Sequence, residues 1–269
     1  MQLLIPCSYL FVPGNRAERF DKACAAGADA VIVDLEDAVP PADKASARAA
    51  VKRWLSSAKP VLIRINGADS EWFRDDVALC RTPGIAGIVL AKAERVEDIH
   101  FLAEHVGVAT PILPLIETAQ GFWNALELAQ VQQVQRLLFG TIDFQLDLGI
   151  SGDEGELLYF RSKLVLVSRI AGIQTPVDGI TVAIDDAEQL RADTLAAKRL
   201  GFGGKLCIHP KQVGLVNECF GPSAREEAWA KRVVEAAAAA HGGVVVVDGK
   251  MVDRPVLARA EAILRGRIT

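Results

Sequence analysis

Two acidic residues, Glu117 and Asp143, carry the clearest chemical signal in the sequence. Glu117 follows the apolar run 112–116, Asp143 comes just after the run 137–139, and the two acids are 26 residues apart. A complete strand–helix–strand unit takes roughly 30 residues, so the two runs fit consecutive strands of a parallel sheet. Neighbouring strands lie about 4.8 Å apart, which would bring both carboxylates to one edge. The pair therefore predicts a site for one hard cation whose other ligands are water and substrate.

More acids follow another apolar stretch. Asp34, Glu36 and Asp37 stand within four residues of one another, and three such acids repel unless a cation or an arginine is near. A solvated turn is the structural interpretation of this segment. If Glu117 and Asp143 arrive at the same rim, a second interpretation gains weight. We then expect Glu36 and Asp37 to hold metal-bound water and orient ligands.

Two arginines are candidates for substrate binding. Arg64 ends a third apolar run, where its planar guanidinium would suit a substrate carboxylate or a developing oxyanion. The alternative is a salt bridge to Glu36 or Asp37. Arg16, in the loop after the first apolar run, carries the same ambiguity. We take Arg64 as a catalytic and substrate-binding candidate, and Arg16 and Glu117 as further substrate-binding candidates.

The elements that must position these residues alternate along the chain. Short apolar runs are separated by longer segments of helical spacing, a pattern typical of βα units around a parallel sheet. Eight strands are predicted, at residues 8–12, 30–35, 61–65, 87–90, 112–116, 137–139, 179–183 and 205–208. Eight alternations favour an α/β fold closed into a (β/α)8 TIM barrel of about 250 residues. An open doubly wound sheet usually has fewer strands and a glycine-rich first turn.

The pattern changes near residue 220. We expect residues 1–220 to form the catalytic barrel and residues 221–269 to form a short, mainly helical C-terminal extension. The extension combines an alanine-rich helix, a β-rich run at 244–247, an Asp-Gly turn and a last helix at about 254–267. It is too small to form a domain of its own, so we expect it to pack on the barrel or on a neighbouring subunit.

Composition narrows the class of protein. A formal net charge of −4 gives no basic surface for nucleic acid. No window approaches the roughly 20 apolar residues that span a bilayer, so we expect no membrane segment and a cytoplasmic protein. The five cysteines include no Cys-x-x-Cys pair, which disfavours zinc and predicts reduced core thiols.

Eight sequence blocks include these residues and occur in order almost from end to end. They are Leu-Phe-Val-Pro-Gly-Asn-Arg (10–16), Asp-Leu-Glu-Asp (34–37), Arg-Ile-Asn (64–66), Leu-Ile-Glu-Thr (115–118), Phe-Gly-x-x-Asp-Phe (139–144), Asp-Leu-Gly (147–149), Gly-Lys-Leu-Cys-Ile-His-Pro (204–210) and Asp-Gly-Lys-Met-Val-Asp-Arg-Pro (248–255). In these blocks the chain resembles the citrate lyase β-subunit-like and malyl-CoA lyase group of metal-dependent 2-oxoacid aldolases.

The resemblance implies a (β/α)8 barrel assembled as a homotrimer or hexamer, with Mg²⁺ on Glu117 and Asp143 and substrate on Arg64. It also implies that Asp253 serves a neighbouring subunit as a proton-transfer group. By itself, an aspartate at a helix start would be interpreted as an N-cap. One position departs from the family pattern, because Ile142 stands where many relatives have glutamate before the metal ligand.

The resemblance further implies a Mg²⁺-dependent carbon–carbon lyase. Such an enzyme cleaves a 3-hydroxyacyl thioester, for example citryl-CoA, into a 2-oxoacid and an acyl thioester, or forms it from these two compounds. Two alternatives remain. The first changes the substrate, to a malyl- or citramalyl-CoA lyase or thioesterase or to an aldolase acting on free 2-oxoacids without coenzyme A. The second is a citrate lyase β subunit that needs carrier and transferase partners. Coenzyme A is implied by the resemblance alone, since neither Gly-x-x-x-x-Gly-Lys-Ser/Thr nor Gly-x-Gly-x-x-Gly occurs.

Overall fold

The computed structural model describes residues 5–56, 59–153, 155–239 and 245–264. It divides the chain into two compact units, residues 1–216 and 217–269. In the first unit eight parallel strands pair in sequence order, and the eighth pairs with the first to close a barrel. The strands are β1 Ser8–Pro13, β2 Ala30–Asp34, β3 Val61–Ile65, β4 Ile85–Leu90, β5 Ile112–Ile116, β6 Arg136–Phe139, β7 Gln174–Asp178 and β8 Gly204–Cys207. The predicted (β/α)8 barrel is confirmed.

Helices follow every strand of the barrel, and two of the connections contain a pair of helices. They are α1 Phe20–Cys24, α2 Lys44–Trp54, α3 Phe73–Leu79, α4 Val96–His105, α5 Ala119–Trp123, α6 Ala125–Ala129, α7 Thr141–Leu148, α8 Leu158–Ala171, α9 Ala187–Leu200 and α10 Pro210–Phe220. Short 3-10 turns at Ala17–Arg19 and Pro41–Asp43 lead into α1 and α2. Within the described residues no helix is long and apolar enough to cross a membrane.

The barrel interior is an apolar core that ends in charged residues. Nine buried side chains form the core: Tyr9, Ile32, Leu62, Val89, Leu113, Leu115, Leu138, Val177 and Leu206. Alternate residues of a strand point to the same face, so positions two residues beyond a core residue face the barrel mouth. Three charged residues occupy such positions, namely Asp34 after Ile32, Arg64 after Leu62, and Glu117 after Leu115. The two-residue period of the strands therefore places these charged side chains at the barrel mouth, next to the apolar core.

The predicted seventh strand is wrong. The predicted strand is 179–183, where Ile180, Thr181 and Val182 favour strands, but the observed strand is Gln174–Asp178. Register decides its position, since Val177 pairs with both Leu138 and Gly204. Residues 179–183 instead form the loop that leaves the strand, and Val182 is 62% exposed. Pro176 concealed the true strand, because proline normally argues against an interior strand.

Helix α7 is not predicted by the apolar pattern of the sequence. It begins immediately after Gly140 and ends at Gly149, which adopts the left-handed conformation with φ of 68°. Asp143 therefore lies in the first turn of a helix and not on a strand end. This short helix follows β6, so Asp143 still reaches the C-terminal face of the barrel.

The second unit has its own small core. It contains α11 Ala224–Ala239, the antiparallel pair β9 Val245–Val247 and β10 Lys250–Val252, and α12 Arg254–Leu264. The hairpin turns at Asp248 and Gly249, both with positive φ, as a two-residue Asp-Gly turn requires. Its buried core comprises Ala230, Val233, Val245, Val247, Ala260 and Ile263. Residue 244 and residues 265–267 of the predicted elements lie outside the described residues.

Candidate metal and substrate site

Glu117 is a buried carboxylate at the end of β5. It is only 3% exposed, and its Oε1 accepts a hydrogen bond of 2.7 Å from the main-chain N–H of Lys92. Gly140 lies against it, and a Cβ at that position would stand 2.5 Å from Glu117 Oε2. Burial raises the pKa of Glu117 to about 8, although the Arg64 guanidinium acts in the opposite direction. The backbone thus forms a tight cradle around this side chain.

Asp143 reaches the same place from the neighbouring strand connection. β5 and β6 pair directly, with Ile116 beside Phe139, and α7 follows β6 at once. The Asp143 side chain is 30% exposed, and its Oδ2 lies 3.1 Å from Lys92 Nζ. Its place in the first turn of α7 also favours a negative charge. Lys92 therefore contacts both predicted metal ligands, one through its main chain and the other through its ammonium group.

The acidic turn after β2 joins this group. Glu36 Oε1 lies 2.6 Å from Lys92 Nζ, and Asp37 Oδ1 lies 3.9 Å from it. Burial opposes ionisation of Glu36, but Arg64 and Lys92 outweigh it and lower the pKa of that carboxyl. Burial and the adjacent Glu36 charge raise the pKa of Asp37 to about 6. The turn is therefore packed into the charged cluster through Glu36, while the Asp37 side chain is more than half exposed.

The Arg64 side chain is nearly buried and is held by a pair of hydrogen bonds. Its Nε and one terminal nitrogen each donate to Asp34 at 2.6 Å, in a two-pronged contact between register partners of β2 and β3. Its other terminal nitrogen lies 3.1 Å from Glu36 Oε2, and its guanidinium lies 4.9 Å from the centre of the Phe11 ring. The salt bridge anticipated as an alternative is present. A guanidinium has five N–H donors, so donors remain for a substrate oxygen.

A second group of buried polar side chains holds the main chain of the acidic turn by hydrogen bonds. Lys44 Nζ donates at 2.7 Å to the main-chain oxygens of Leu35 and Glu36 and to the side-chain oxygen of Asn66. Asn66 in turn donates to Asp76 at 2.6 Å. Every ammonium donor of Lys44 is used, and Lys44 is 5% exposed. Hydrogen bonds within the protein therefore fix the conformation of this turn without any contact from substrate.

Two further predicted site residues, Arg16 and Asp253, have contacts of their own. Arg16 is half-exposed and pairs with Glu18 at 2.6 Å, and no contact among the described residues joins it to the carboxylates above. Asp253 belongs to the second unit, where its Oδ1 accepts the Val256 N–H at 3.0 Å and caps α12. The structure thus shows for Asp253 the helix cap that its sequence position indicates. Its role toward another subunit stays a prediction.

Three charged residues of the cluster were not among the predicted site residues. Asp34 was recognisable from its strand period, because it stands two positions after the core residue Ile32. Lys92 follows β4 but gives no pattern that distinguishes it from a surface lysine. Lys44 stands in a helix, and its direction depends on tertiary packing. Asp34 and Lys92 could thus be placed at strand ends from the sequence, whereas the position of Lys44 could not be predicted.

The residues present fit a magnesium ion. Glu117 and Asp143 offer only oxygen donors, which suit a hard cation. In the described ranges, no group of three or more histidines, cysteines or acids is placed to enclose a metal. An ion would therefore keep most positions for water and substrate, as Mg²⁺ usually does. The ammonium of Lys92 beside Asp143 shows that a cation is accommodated at this carboxylate.

The fold and the site together define a class of protein: a (β/α)8-barrel enzyme with an acid-and-arginine cluster at the C-terminal face, where such barrels carry their active sites. The model of the HpcH/HpaI aldolase/citrate lyase family matches residues 7–210, and the chain belongs to this family.

Curated relatives and solved structures agree with this membership. A citrate lyase subunit beta-like protein of Deinococcus radiodurans is 39% identical, over 96% of this chain and 95% of its own length. A (3S)-malyl-CoA thioesterase of Cereibacter sphaeroides is 38% identical, over 95% of each chain. The Mycobacterium tuberculosis protein CitE, solved with magnesium, acetoacetate and coenzyme A, superposes with a TM-score of 0.87, 32% identity and 97% coverage of each chain.

Proposed function

We propose that this protein is a Mg²⁺-dependent carbon–carbon lyase acting on a 3-hydroxyacyl thioester of coenzyme A. It would split the thioester into a 2-oxoacid and an acyl thioester, or join the two. The observation that supports this most is the meeting of Glu117 and Asp143 at Lys92, beside Arg64. The magnesium and coenzyme A bound by the related CitE protein fit the same assignment.

Glu117 and Asp143 would hold the ion through one carboxylate each. Bound there, Mg²⁺ supplies Lewis-acid polarisation of the oxoacid oxygens and orients that half of the substrate. Two hydrogen bonds to Asp34 already orient the Arg64 guanidinium, so the directions of its remaining N–H donors are set before substrate binds. Such a donor stabilises developing negative charge on oxygen without reorganising during the reaction.

Proton transfer needs a base and an acid. In the cleavage direction, a carboxylate takes the proton of the 3-hydroxyl group as the bond to the thioester α-carbon breaks. The electron pair of that bond passes to the α-carbon side, giving the enolate of the acyl thioester, which is then protonated. Asp253 of a neighbouring subunit is our candidate for the base, in a homotrimer or hexamer. A positioned carboxylate of this kind contributes about 10²–10⁴-fold to a rate.

Hydrolysis is the second candidate. The relative from Cereibacter sphaeroides is named a thioesterase and is 38% identical over nearly the whole chain. In that case the malyl-type thioester would yield free coenzyme A and an acid. A third possibility follows from the citrate lyase subunit beta-like relative, since a subunit of that type could require carrier and transferase partners.

Purified protein is tested first with Mg²⁺ on citryl-, malyl- and citramalyl-CoA. A lyase releases a 2-oxoacid and keeps the thioester, whereas a thioesterase releases the free thiol of coenzyme A. Activity of the isolated chain on a coenzyme A thioester would exclude dependence on partner subunits. Size-exclusion chromatography of the same sample gives the oligomeric state.

The metal assignment is tested by Glu117→Gln and Asp143→Asn, which keep side-chain size and remove charge. Each should weaken Mg²⁺ binding and reduce turnover by at least about 100-fold, as loss of a metal ligand implies. Asp147→Asn is the matched control, because Asp147 lies on the same helix and accepts the Ala119 N–H at 2.7 Å instead. Unchanged metal affinity in both ligand variants would refute the assignment.

A further inference from the structure

Lys92 has an unusual backbone conformation for its residue type. Its φ is +48°, and the other non-glycine residue with positive φ in the described ranges is Asp248, in the hairpin turn. A long side chain in the left-handed region costs about 1–2 kcal/mol relative to glycine or to the right-handed region. Strain of this kind is kept where surrounding contacts fix it, and often at functional sites.

The strained backbone lets one residue contact both carboxylates of the candidate metal site. The Lys92 N–H donates to Glu117 Oε1 at 2.7 Å. Its ammonium turns back to Asp143 Oδ2 at 3.1 Å and donates to Glu36 Oε1 at 2.6 Å. The main-chain contact survives any substitution of the side chain, whereas the ammonium contacts do not. The two functions of Lys92 can therefore be separated by mutation.

Charge balance shows what the ammonium does in the absence of a metal ion. In the described part of the chain, Lys92 is the only lysine or arginine within ion-pair distance of Asp143. A lysine ammonium is ordinarily protonated at neutral pH, and that of Lys92 lies 2.6 Å from Glu36 Oε1 and 3.1 Å from Asp143 Oδ2. The group is therefore a cation at neutral pH, and it neutralises Asp143.

A divalent ion on Asp143 changes that balance. Two positive charges would then lie next to the ammonium, and like charges in contact repel. The Lys92 side chain is 42% exposed and ends in a flexible stem, so it can leave Asp143 while its backbone stays in place. The nearest new negative charge would be the carboxylate of a 2-oxoacid arriving at the metal.

We propose that the Lys92 ammonium is the counter-charge of Asp143 in the metal-free protein and becomes a carboxylate-binding group for the 2-oxoacid once Mg²⁺ occupies the site. This inference rests on the proposed function. It assigns to one side chain two effects of opposite sign, namely weaker metal binding and stronger oxoacid binding. A residue that merely stabilises the fold would not produce that combination.

Isothermal titration calorimetry tests both effects on Lys92→Met. With MgCl2, the variant should bind metal about fivefold more tightly than the wild type, the scale of a partly exposed ion pair. With pyruvate added to Mg²⁺-saturated protein, it should bind about tenfold more weakly, because a charged hydrogen bond is lost. Lys59→Met is the matched control, since Lys59 pairs with Asp21 at 2.8 Å outside the cluster. Both affinities should be unchanged in it.

A second variant keeps the test valid if Lys92→Met folds poorly. Lys92→Gly suits the positive φ, so it should fold at least as well as the wild type and show the same pair of shifts. Equal or weaker metal binding, or unchanged pyruvate binding, in these variants would overturn the role of Lys92. Absence of metal binding by the wild type would instead refute the proposed function itself.

Discussion

Gly140 offers a direct test of the carboxylate cradle. It stands between β6 and α7 with φ of −88°, a value that alanine adopts without difficulty. An alanine Cβ there would lie 2.5 Å from Glu117 Oε2 and 2.6 Å from Glu117 Cβ. Gly140→Ala should therefore act on Glu117 and not on the backbone of residue 140.

The size of the effect follows from the overlap. Both distances fall roughly 1 Å short of an ordinary contact between non-bonded atoms, so Glu117 must move by about that amount. Its carboxylate also accepts the Lys92 N–H, and a shift of 1 Å would break that hydrogen bond. Disturbing the groups that orient a metal ligand typically costs about 10–100-fold in affinity. We expect Gly140→Ala to weaken Mg²⁺ binding within that range.

The assay is calorimetric titration of Mg²⁺, together with thermal unfolding of the same samples. Gly149→Ala is the matched control, because Gly149 ends the same helix and its added Cβ would contact nothing within 4 Å. Its φ of 68° makes alanine there cost about 1–2 kcal/mol of stability. The control should thus lose a few degrees of melting temperature and keep its metal affinity.

The two variants are expected to change different properties of the protein. Gly140→Ala must lose metal affinity, and Gly149→Ala must lose stability alone. If Gly140→Ala bound Mg²⁺ as tightly as the wild type, Glu117 would not depend on the cradle. The geometry that places its carboxylate on the metal would then be incorrect.

Three further outcomes are expected. Arg64→Met should lower the free energy of unfolding in urea by about 3–5 kcal/mol, because Asp34 is left as a buried, unpaired charge; Asp34→Asn added to it should recover part of the loss. Gly203→Ala should cost about 1–3 kcal/mol in the same assay, because its Cβ would overlap the Thr175 hydroxyl. Asp253→Asn should keep the cap of α12, and hence the melting temperature, while turnover falls by about 10²-fold or more, and normal turnover would remove Asp253 from the mechanism.

The barrel was predictable because its signal is repeated. Each strand carries a short apolar run, and a helix-length segment with apolar residues on one face follows it, so the closure of eight units could be expected from spacing alone. The seventh strand was misplaced because local residue preference and sheet register favour different segments. The segment Gln174–Asp178 contains a proline and polar ends, yet its neighbours β6 and β8 fix it in the sheet.

The candidate site was only partly predictable. Glu117 and Arg64 could be placed at the rim because each continues the two-residue period of its strand. Asp143 was selected correctly as a neighbour of Glu117, but its helix was not foreseen, since Thr141–Leu148 is short and only weakly patterned. The contacts of Lys92 depend on a positive φ, and no local pattern in the sequence indicates that conformation at a lysine.

The distribution of charge at the rim explains where a divalent ion would be most stabilising. Asp34 is matched by Arg64, and Asp143 by the ammonium of Lys92. Glu117 differs, because no lysine or arginine in the described ranges lies within ion-pair distance of it and its close polar partner is a main-chain N–H. Glu117 is also more deeply buried than Asp143, and burial raises the pKa of Glu117 to about 8. The charges of Arg64 and Lys92 do not offset the burial of Glu117, so a cation shared with Asp143 would add positive charge at the point where an ionised carboxylate is otherwise least favourable.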